Sequence, residues 1–177
     1  MIFEYGQIKG LDGLVVIVKD NKKIKAIYPF LCEKIKLDFC VKYVASIWGK
    51  PSSVKNKETL DMSDVALDEV DINEASHFAK KVYQKLYLTK KGTLLSYSEL
   101  AAKAGNPKAA RVVGTLMKKN CFPIVIPCHR VYAKSGAEHF SITCFNKRPA
   151  MCMGKTQKSL CECAKNIKLA IRNVENA

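Results

Sequence analysis

The sequence lacks any apolar run approaching the ~20 residues that a helix needs to cross a bilayer. Its start, Met1-Ile2-Phe3-Glu4, has neither the basic stretch nor the long apolar stretch of a secretion signal. It has eight cysteines but no C-x-x-C pair. A disulfide framework and a thiolate metal site therefore both lack their usual spacing. The expectation is an intracellular, reducing compartment with unoxidised thiols, the nucleus in a eukaryotic cell and otherwise the cytoplasm. Cys32, Cys40 and His77 are the nearest thing to a ligand set, and Cys161-Glu162-Cys163 is equally weak, so no metal and no cofactor is expected. No internal repeat or low-complexity tract is present.

Carboxylates are scarce in one half only. Residues 1–76 carry 11 Lys plus Arg against 12 Asp plus Glu, a net of −1, whereas residues 77–177 carry 19 against 4, a net of +15. The asymmetry divides the chain into parts with different tasks, and the basic part points to a polyanion, most simply nucleic acid. A length of 177 residues suits one or two small domains.

In the near-neutral part, the β-branched run Leu14–Val18, a turn at Asp20-Asn21 and the return over Ile24–Tyr28 predict a hairpin between Gly13 and Phe30. Ile35, Phe39, Tyr43 and Ile47, each four apart, predict a helix over Lys34–Trp48. The polar and acidic stretch Lys50–Asn73 reads as a linker. The expected division is thus a small α/β domain with linker at 1–73, followed by a functional domain at 74–177.

In the basic part, Phe78, Val82 and Leu86 line one face of a helix expected over Glu74–Leu88, which Gly92 ends. Ser96 followed by Glu99 is a capping box that starts a second helix near Tyr97. Gly105 suits a left-handed stop, and Asn106 with Pro107 suits the N-cap and first position of a third helix running to about Lys119. Two helices joined by a Gly-Asn turn form a helix-turn-helix pattern. The third helix opens on the small residues Ala109, Ala110 and Gly114, flanked by Lys108 and Arg111. Small side chains permit close backbone approach, and an arginine among them can enter a duplex.

The run Ile124–Val131, I-V-I-P-C-H-R-V, then delivers Cys128 from an apolar, strand-like stretch directly before His129 and Arg130. An imidazole and a guanidinium beside a thiol favour the thiolate, which is the nucleophile. The plainer reading is a buried cysteine ending a core strand.

Taken together, Ser96–Ala101, Gly105–Gly114, Asn120 and Pro123–Val131 resemble the O6-alkylguanine-DNA alkyltransferases, the methylated-DNA–protein-cysteine methyltransferases, from about Phe78 to Ala137. The resemblance implies an α/β, ribonuclease H-like N-terminal domain and a mainly α C-terminal domain with a winged helix-turn-helix. It implies irreversible transfer of an alkyl group from O6 of guanine, with O4 of thymine as a further candidate, to Cys128 after base flipping. His129 would deprotonate Cys128 through a water, Asn120 would brace the approach to it, and Tyr97 would give a proton to the departing guanine. Arg111 would fill the gap in the base stack, with Ala109, Ala110 and Gly114 in the minor groove. Ser98, Asn106 and Lys134 fall at DNA-contacting positions, and Pro123 and Val131 at the substrate pocket. The implied partner is double-stranded DNA carrying O6-alkylguanine, bound by a monomer, with no membrane partner.

The chain departs from that family after Ala137. The family's K-x-x-L-L-x-x-E pattern supplies a relay glutamate some 25 residues after the cysteine, and here that position falls at Gly154. The expected G-Y-S-G-G lid is replaced by Glu138–Thr143, and Cys121 replaces a common proline. Glu138 and Glu162 are the candidate substitutes. Loss of relay and lid would leave a module that recognises alkylguanine without transfer, and an unrelated Cys-His hydrolase is the third reading.

Overall fold

The first element is a strand, β1 (Ile2–Ile8), which buries Phe3, Glu4, Gly6 and Ile8. The computed structural model describes residues 1–9, 13–30, 37–60, 65–134, 169, 171–173 and 175. The expected hairpin forms from β2 (Leu14–Asp20) and β3 (Lys23–Phe30). Its turn lies one residue later than expected, because Asp20 pairs with Lys23 and the two turn positions are Asn21 and Lys22, at φ 46° and 66°. Both left-handed positions match the twist of a two-residue hairpin. The next helix, α1 (Leu37–Trp48), buries Cys40, Tyr43 and Val44. Its expected beginning at Lys34 lies outside the described residues.

The reading of Lys50–Asn73 as a linker is corrected. Ser53–Leu60 is a strand, β4, paired in parallel with β1, giving a four-stranded sheet in the order β3-β2-β1-β4. Its polarity misled because β4 is an edge strand whose residues are largely exposed, so it shows no apolar alternation. Gly6 of β1 faces the shift in register: a Cβ there would stand 3.2 Å from the Glu58 carbonyl oxygen. By contrast Val15, Val16, Ile17 and Val18 are all buried, so both faces of β2 are covered.

The rest is mainly helical. Ser76 caps α2 (His77–Tyr87), accepting from the Ala79 N–H, and the helix buries Ala79, Val82, Tyr83 and Leu86. A short strand, β5 (Leu95–Ser96), leads into α3 (Tyr97–Lys103) through the expected capping box: Ser96 Oγ accepts from the Glu99 N–H, and the Glu99 carboxylate accepts from the Ser96 N–H at 2.7 Å. Ser96 is fully buried, so Ser96→Ala is expected to lower stability by about 1–2 kcal/mol, read as a shifted urea midpoint. Gly105 takes the left-handed stop at φ 91°. The expected Asn106 cap does not form: its side chain makes no cap hydrogen bond, and Pro107–Ala109 is a 3-10 turn before α4 (Ala110–Lys118).

The two parts share one core. Ile27 of β3 donates its N–H to the Cys121 carbonyl at 2.8 Å, and buried residues of both parts form one cluster. The remaining strand, β6 (Val131–Tyr132), lies parallel to β5 with Leu95 opposite Val131. That pairing seats the start of α3 against the segment that leaves Cys128. Among the described residues no helix is long and apolar enough to cross a membrane.

Candidate active site

Cys128 is not delivered by a strand. Residues 121–127 fold as successive turns, with the Ile126 N–H bonded to the Phe122 carbonyl at 2.8 Å and the Cys128 N–H to the Ile126 carbonyl at 2.7 Å. Asn120 makes this possible. It is buried, its Nδ2 donates to the Ile126 carbonyl at 2.9 Å, and its Oδ1 accepts from the Phe122 N–H at 3.0 Å. One side chain thus closes the loop that the apolar sequence suggested as a strand. Within it Ile124 is held at φ 78°, a conformation that β-branched residues avoid. Pro123 is buried in the same loop.

Cys128, His129 and Arg130 then form one turn of 3-10 helix, all three buried. The feature that sequence reading missed stands against it. Residues 169, 171–173 and 175 are helical, and Glu175 places Oε1 2.9 Å from His129 Nε2. The oxygen lies off the ring N–H axis, so the contact is close without being a linear hydrogen bond. Arg130 grips the same carboxylate through Nε at 2.9 Å and Nη2 at 2.5 Å, and its Nη1 donates to the Thr89 carbonyl after α2. Arg172 Nε donates to the His129 carbonyl at 2.6 Å.

The absence of an acidic partner for His129 is therefore corrected. Gly154, Glu138 and Glu162 lie outside the described residues, and the carboxylate comes from Glu175, 47 positions after Cys128. The signal was present. Lys168–Glu175 reads K-x-x-I-R-x-x-E, the expected pattern with Ile and Arg in the two leucine positions, about twenty residues later than sought. Glu175 is also one of only four carboxylates in the basic part, and Glu99 is taken up in the capping box.

Electrostatics at this site are strong. Burial pushes the Glu175 carboxyl up, but the hydrogen bonds and charges of His129 and Arg130 outweigh it and bring it down to about 2. Burial holds His129 below its ordinary value, opposed by Glu175 and assisted by the Arg130 and Arg172 charges. A neutral, buried imidazole is a base ready to take a proton. His129 Nδ1 is buried with no hydrogen-bond partner among the described residues. Burial, then the Cys121 and Cys128 thiols, push the Tyr83 phenol up to about 12, so Tyr83 remains a neutral wall of the site.

The other candidates lie on and around α3 and α4. Tyr97 is the first residue of α3 and half-buried, Ser98 lies within hydrogen-bond distance of Ser96 at 3.0 Å, and Asn106 is exposed. Lys134 is exposed and within electrostatic reach of Glu99. On α4 Arg111 is exposed, while Ala110 and Gly114 are half-buried. Ala109 is buried in the core. The exposed face gains Val112 instead, an apolar side chain 51 % exposed beside Arg111, which sequence reading passed over. Val131 is buried in β6. The lid at 138–143, Cys32 and the Cys161–Cys163 pair lie outside the described residues. Among the described residues no three His, Cys, Asp or Glu side chains group as metal ligands.

Residues 77–151 match the family described as 6-O-methylguanine DNA methyltransferase, DNA binding domain. The human methylated-DNA–protein-cysteine methyltransferase is 37 % identical over 98 residues, covering 55 % of this chain and 45 % of that protein. The Bacillus subtilis constitutive enzyme of the same name is 47 % identical over 60 residues, 34 % of this chain and 36 % of its own. The chain spans less than half the length of either relative. The crystal structure of O6-methylguanine-DNA methyltransferase from Pyrococcus kodakaraensis superposes with a TM-score of 0.62 at 21 % identity over 99 % of both chains, so the mixed α/β fold is shared. Mycobacterium tuberculosis OGT, solved in complex with DNA, gives 0.50 at 18 % identity over 97 % of this chain and 92 % of its own. Over residues 77–151 this chain is therefore similar to the DNA-binding domain of the 6-O-methylguanine DNA methyltransferase family.

Proposed function

We propose that this protein repairs DNA by direct reversal, moving an alkyl group from O6 of guanine to the sulfur of Cys128. The observation that carries the reading is the complete relay: a buried Cys128 and His129 in one turn, with Glu175 2.9 Å from His129 Nε2. In this reading His129, through a water, takes the Cys128 proton, and Glu175 and Arg130 hold the imidazole in place. The thiolate sulfur bonds to the alkyl carbon as the carbon–O6 bond breaks, and its electron pair passes to the guanine ring. A proton from the Tyr97 hydroxyl neutralises the departing base, which otherwise leaves poorly. The thioether is stable, so each molecule acts once and no cofactor is involved. O4-alkylthymine is a second substrate of the same chemistry.

Guanine O6 lies inside the duplex, so the nucleotide must rotate out at a cost of a few kcal/mol. In this reading α3 and α4 act as a winged helix-turn-helix on double-stranded DNA. Arg111 fills the gap in the stack, and Ala110 and Gly114 face the minor groove. Ser98, Asn106 and Lys134 hold phosphates, and the net +15 of residues 77–177 supplies the general attraction. The sheet and α1 form a ribonuclease H-like domain over 1–73, and the acceptor domain covers 74–177. The protein works as a monomer in the nucleus or cytoplasm.

The test is an intact mass after incubation with a duplex carrying one O6-methylguanine. The expected result is a gain of one methyl, lost in Cys128→Ala. An unchanged mass together with tight, salt-sensitive binding to the lesion would replace transfer with recognition alone.

A further inference from the structure

The end of α2, the loop after it and the end of α3 enclose a cleft of about 450 Å³. Lys85, Lys90 and Lys103 stand around it, all exposed, and its apolar lining is Leu88, 65 % exposed, and the buried Leu95. The turn Lys90–Thr93 shapes one wall: the Thr93 N–H donates to the Lys90 carbonyl at 3.2 Å, and Gly92 takes φ 75°. The Thr89 carbonyl, which accepts from Arg130 Nη1, fixes the same wall from inside. None of these residues is among those assigned to the duplex or to the acceptor. Lys103 ends α3 and Tyr97 begins it, so a ligand in the cleft does not take the place of a flipped base. Lysines near helix C-termini ordinarily serve the last carbonyls. Here those carbonyls have other donors. Gln84 and Leu86 accept from the Leu88 N–H, and Lys85 accepts from the Thr89 hydroxyl. At the end of α3, Leu100, Ala101 and Ala102 accept from the N–H groups of Ala104, Asn106 and Gly105. Among the described residues no carboxylate lines the cleft. Glu99, within electrostatic reach of Lys103, is bonded to Ser96 and shared with Lys134. Three ammonium groups thus surround one cleft, and the helix ends beside it do not engage them.

We propose that this cleft binds a nucleoside polyphosphate, with the phosphate chain on Lys85, Lys90 and Lys103 and the face of the base on Leu88 and Leu95. Lysine meets phosphate as a point charge and accepts varied geometry. The volume suits a ligand of nucleotide size and is far larger than one phosphate ion needs. Among the described residues the lining has no side-chain amide or carboxylate to read a base edge. The base is therefore held by its face, and its identity is not read. The site stands apart from the alkyltransferase reading and calls for no transfer chemistry.

Calorimetric titration of the full chain with ATP, GTP, AMP and tripolyphosphate tests the site, at physiological salt and without divalent cations. ATP and GTP are expected to bind alike, and both about tenfold more tightly than AMP. Lys85→Glu and Lys90→Glu, at exposed positions, are each expected to weaken ATP about tenfold and to leave the rate of methyl transfer to Cys128 unchanged. Leu88→Ala is expected to weaken ATP about threefold and to leave tripolyphosphate as it was. An excess of undamaged duplex is expected to leave ATP in place. Thermal melts establish that folded variants are compared. No heat with ATP would overturn the inference. So would displacement of ATP by the duplex, or a loss in Arg111→Glu as large as in Lys90→Glu, either of which would put the phosphates on the DNA face. Unaltered ATP binding in Leu88→Ala would overturn the nucleoside half of the assignment. A glutamate-rich peptide with one leucine that binds more tightly than ATP would overturn it in favour of a protein partner. ATP binding is read without a lesion, so wild-type protein that binds ATP but moves no methyl group would sink the function reading alone.

Discussion

Glu175→Ala is expected to cut methyl transfer about a hundredfold at neutral pH, within the range ascribed to loss of a positioned acid–base group, and to destabilise the fold by about 3–5 kcal/mol. Both effects have one origin. The carboxylate is the shared partner of His129 and of the buried Arg130, which among the described residues is otherwise bonded to the Thr89 carbonyl. Removing it leaves a guanidinium, 9 % exposed, without its counter-charge, and breaking such a pair is far more costly than never having had it. It also frees the imidazole to turn. Glu175→Gln retains an acceptor near Nε2 but not the charge, and should recover part of the stability and little of the rate. Single-turnover kinetics and urea unfolding on the same preparations decide the point. Near-wild-type rates in Glu175→Ala would show that His129 works without a relay.

The acid behaviour of the protein follows from the same pair. The folded-state carboxyl of Glu175 lies at about 2, below its ordinary 4.5. Its contribution to stability is therefore complete above pH ~4.5 and disappears as pH falls toward 2. His129, held neutral by burial, also sits below its ordinary 6.5. The unfolded chain then binds the extra proton first, so stability is full above pH ~6.5 and declines as pH falls below it. Wild-type protein should lose stability in both windows, and Glu175→Ala should lack the lower one.

Much of this site can be read from the sequence, and the parts that cannot have definite physical reasons. The capping box at Ser96–Glu99, the stop at Gly105 and the helices around them depend on contacts within four residues, and they form where local chemistry puts them. The hairpin does too, displaced by one residue. β4 escaped because an edge strand needs no apolar alternation, only a partner, and its partner β1 is some fifty residues away. The run Pro123–Ile126 looked like a strand because its side chains are apolar and β-branched. What overrides that preference is a tertiary choice, the buried Asn120 side chain closing the loop. Glu175 was missed because its distance from Cys128 along the chain was taken as fixed. Only the pairing across space is fixed, and the spacing K-x-x-I-R-x-x-E around Glu175 survives the longer connection.

Asn120 is the second residue on which both fold and chemistry depend. Asn120→Ala is expected to cost about 2 kcal/mol, because it leaves the Phe122 N–H, beside buried residues, without its partner and leaves the Ile126 carbonyl with the Cys128 N–H alone. Asn120→Asp should be no better: the oxygen replacing Nδ2 would face the Ile126 carbonyl, acceptor against acceptor. The cost to activity is separate from the cost in stability. Ile124 sits at φ 78° inside this loop, a conformation that costs on the order of 1–3 kcal/mol and persists only while its surroundings hold it. When the Asn120 bonds are gone, the loop is free to relax that residue, and the relaxation moves Ile126, whose carbonyl receives the Cys128 N–H at 2.7 Å. Displacing a nucleophile by about 1 Å slows a positioned reaction roughly a hundredfold. The decisive comparison is therefore the rate of methyl transfer by the folded fraction of Asn120→Ala, measured at low temperature and without denaturant. A slow rate in protein shown to be folded identifies Asn120 as the residue that aims Cys128, whereas a wild-type rate would confine it to stability alone.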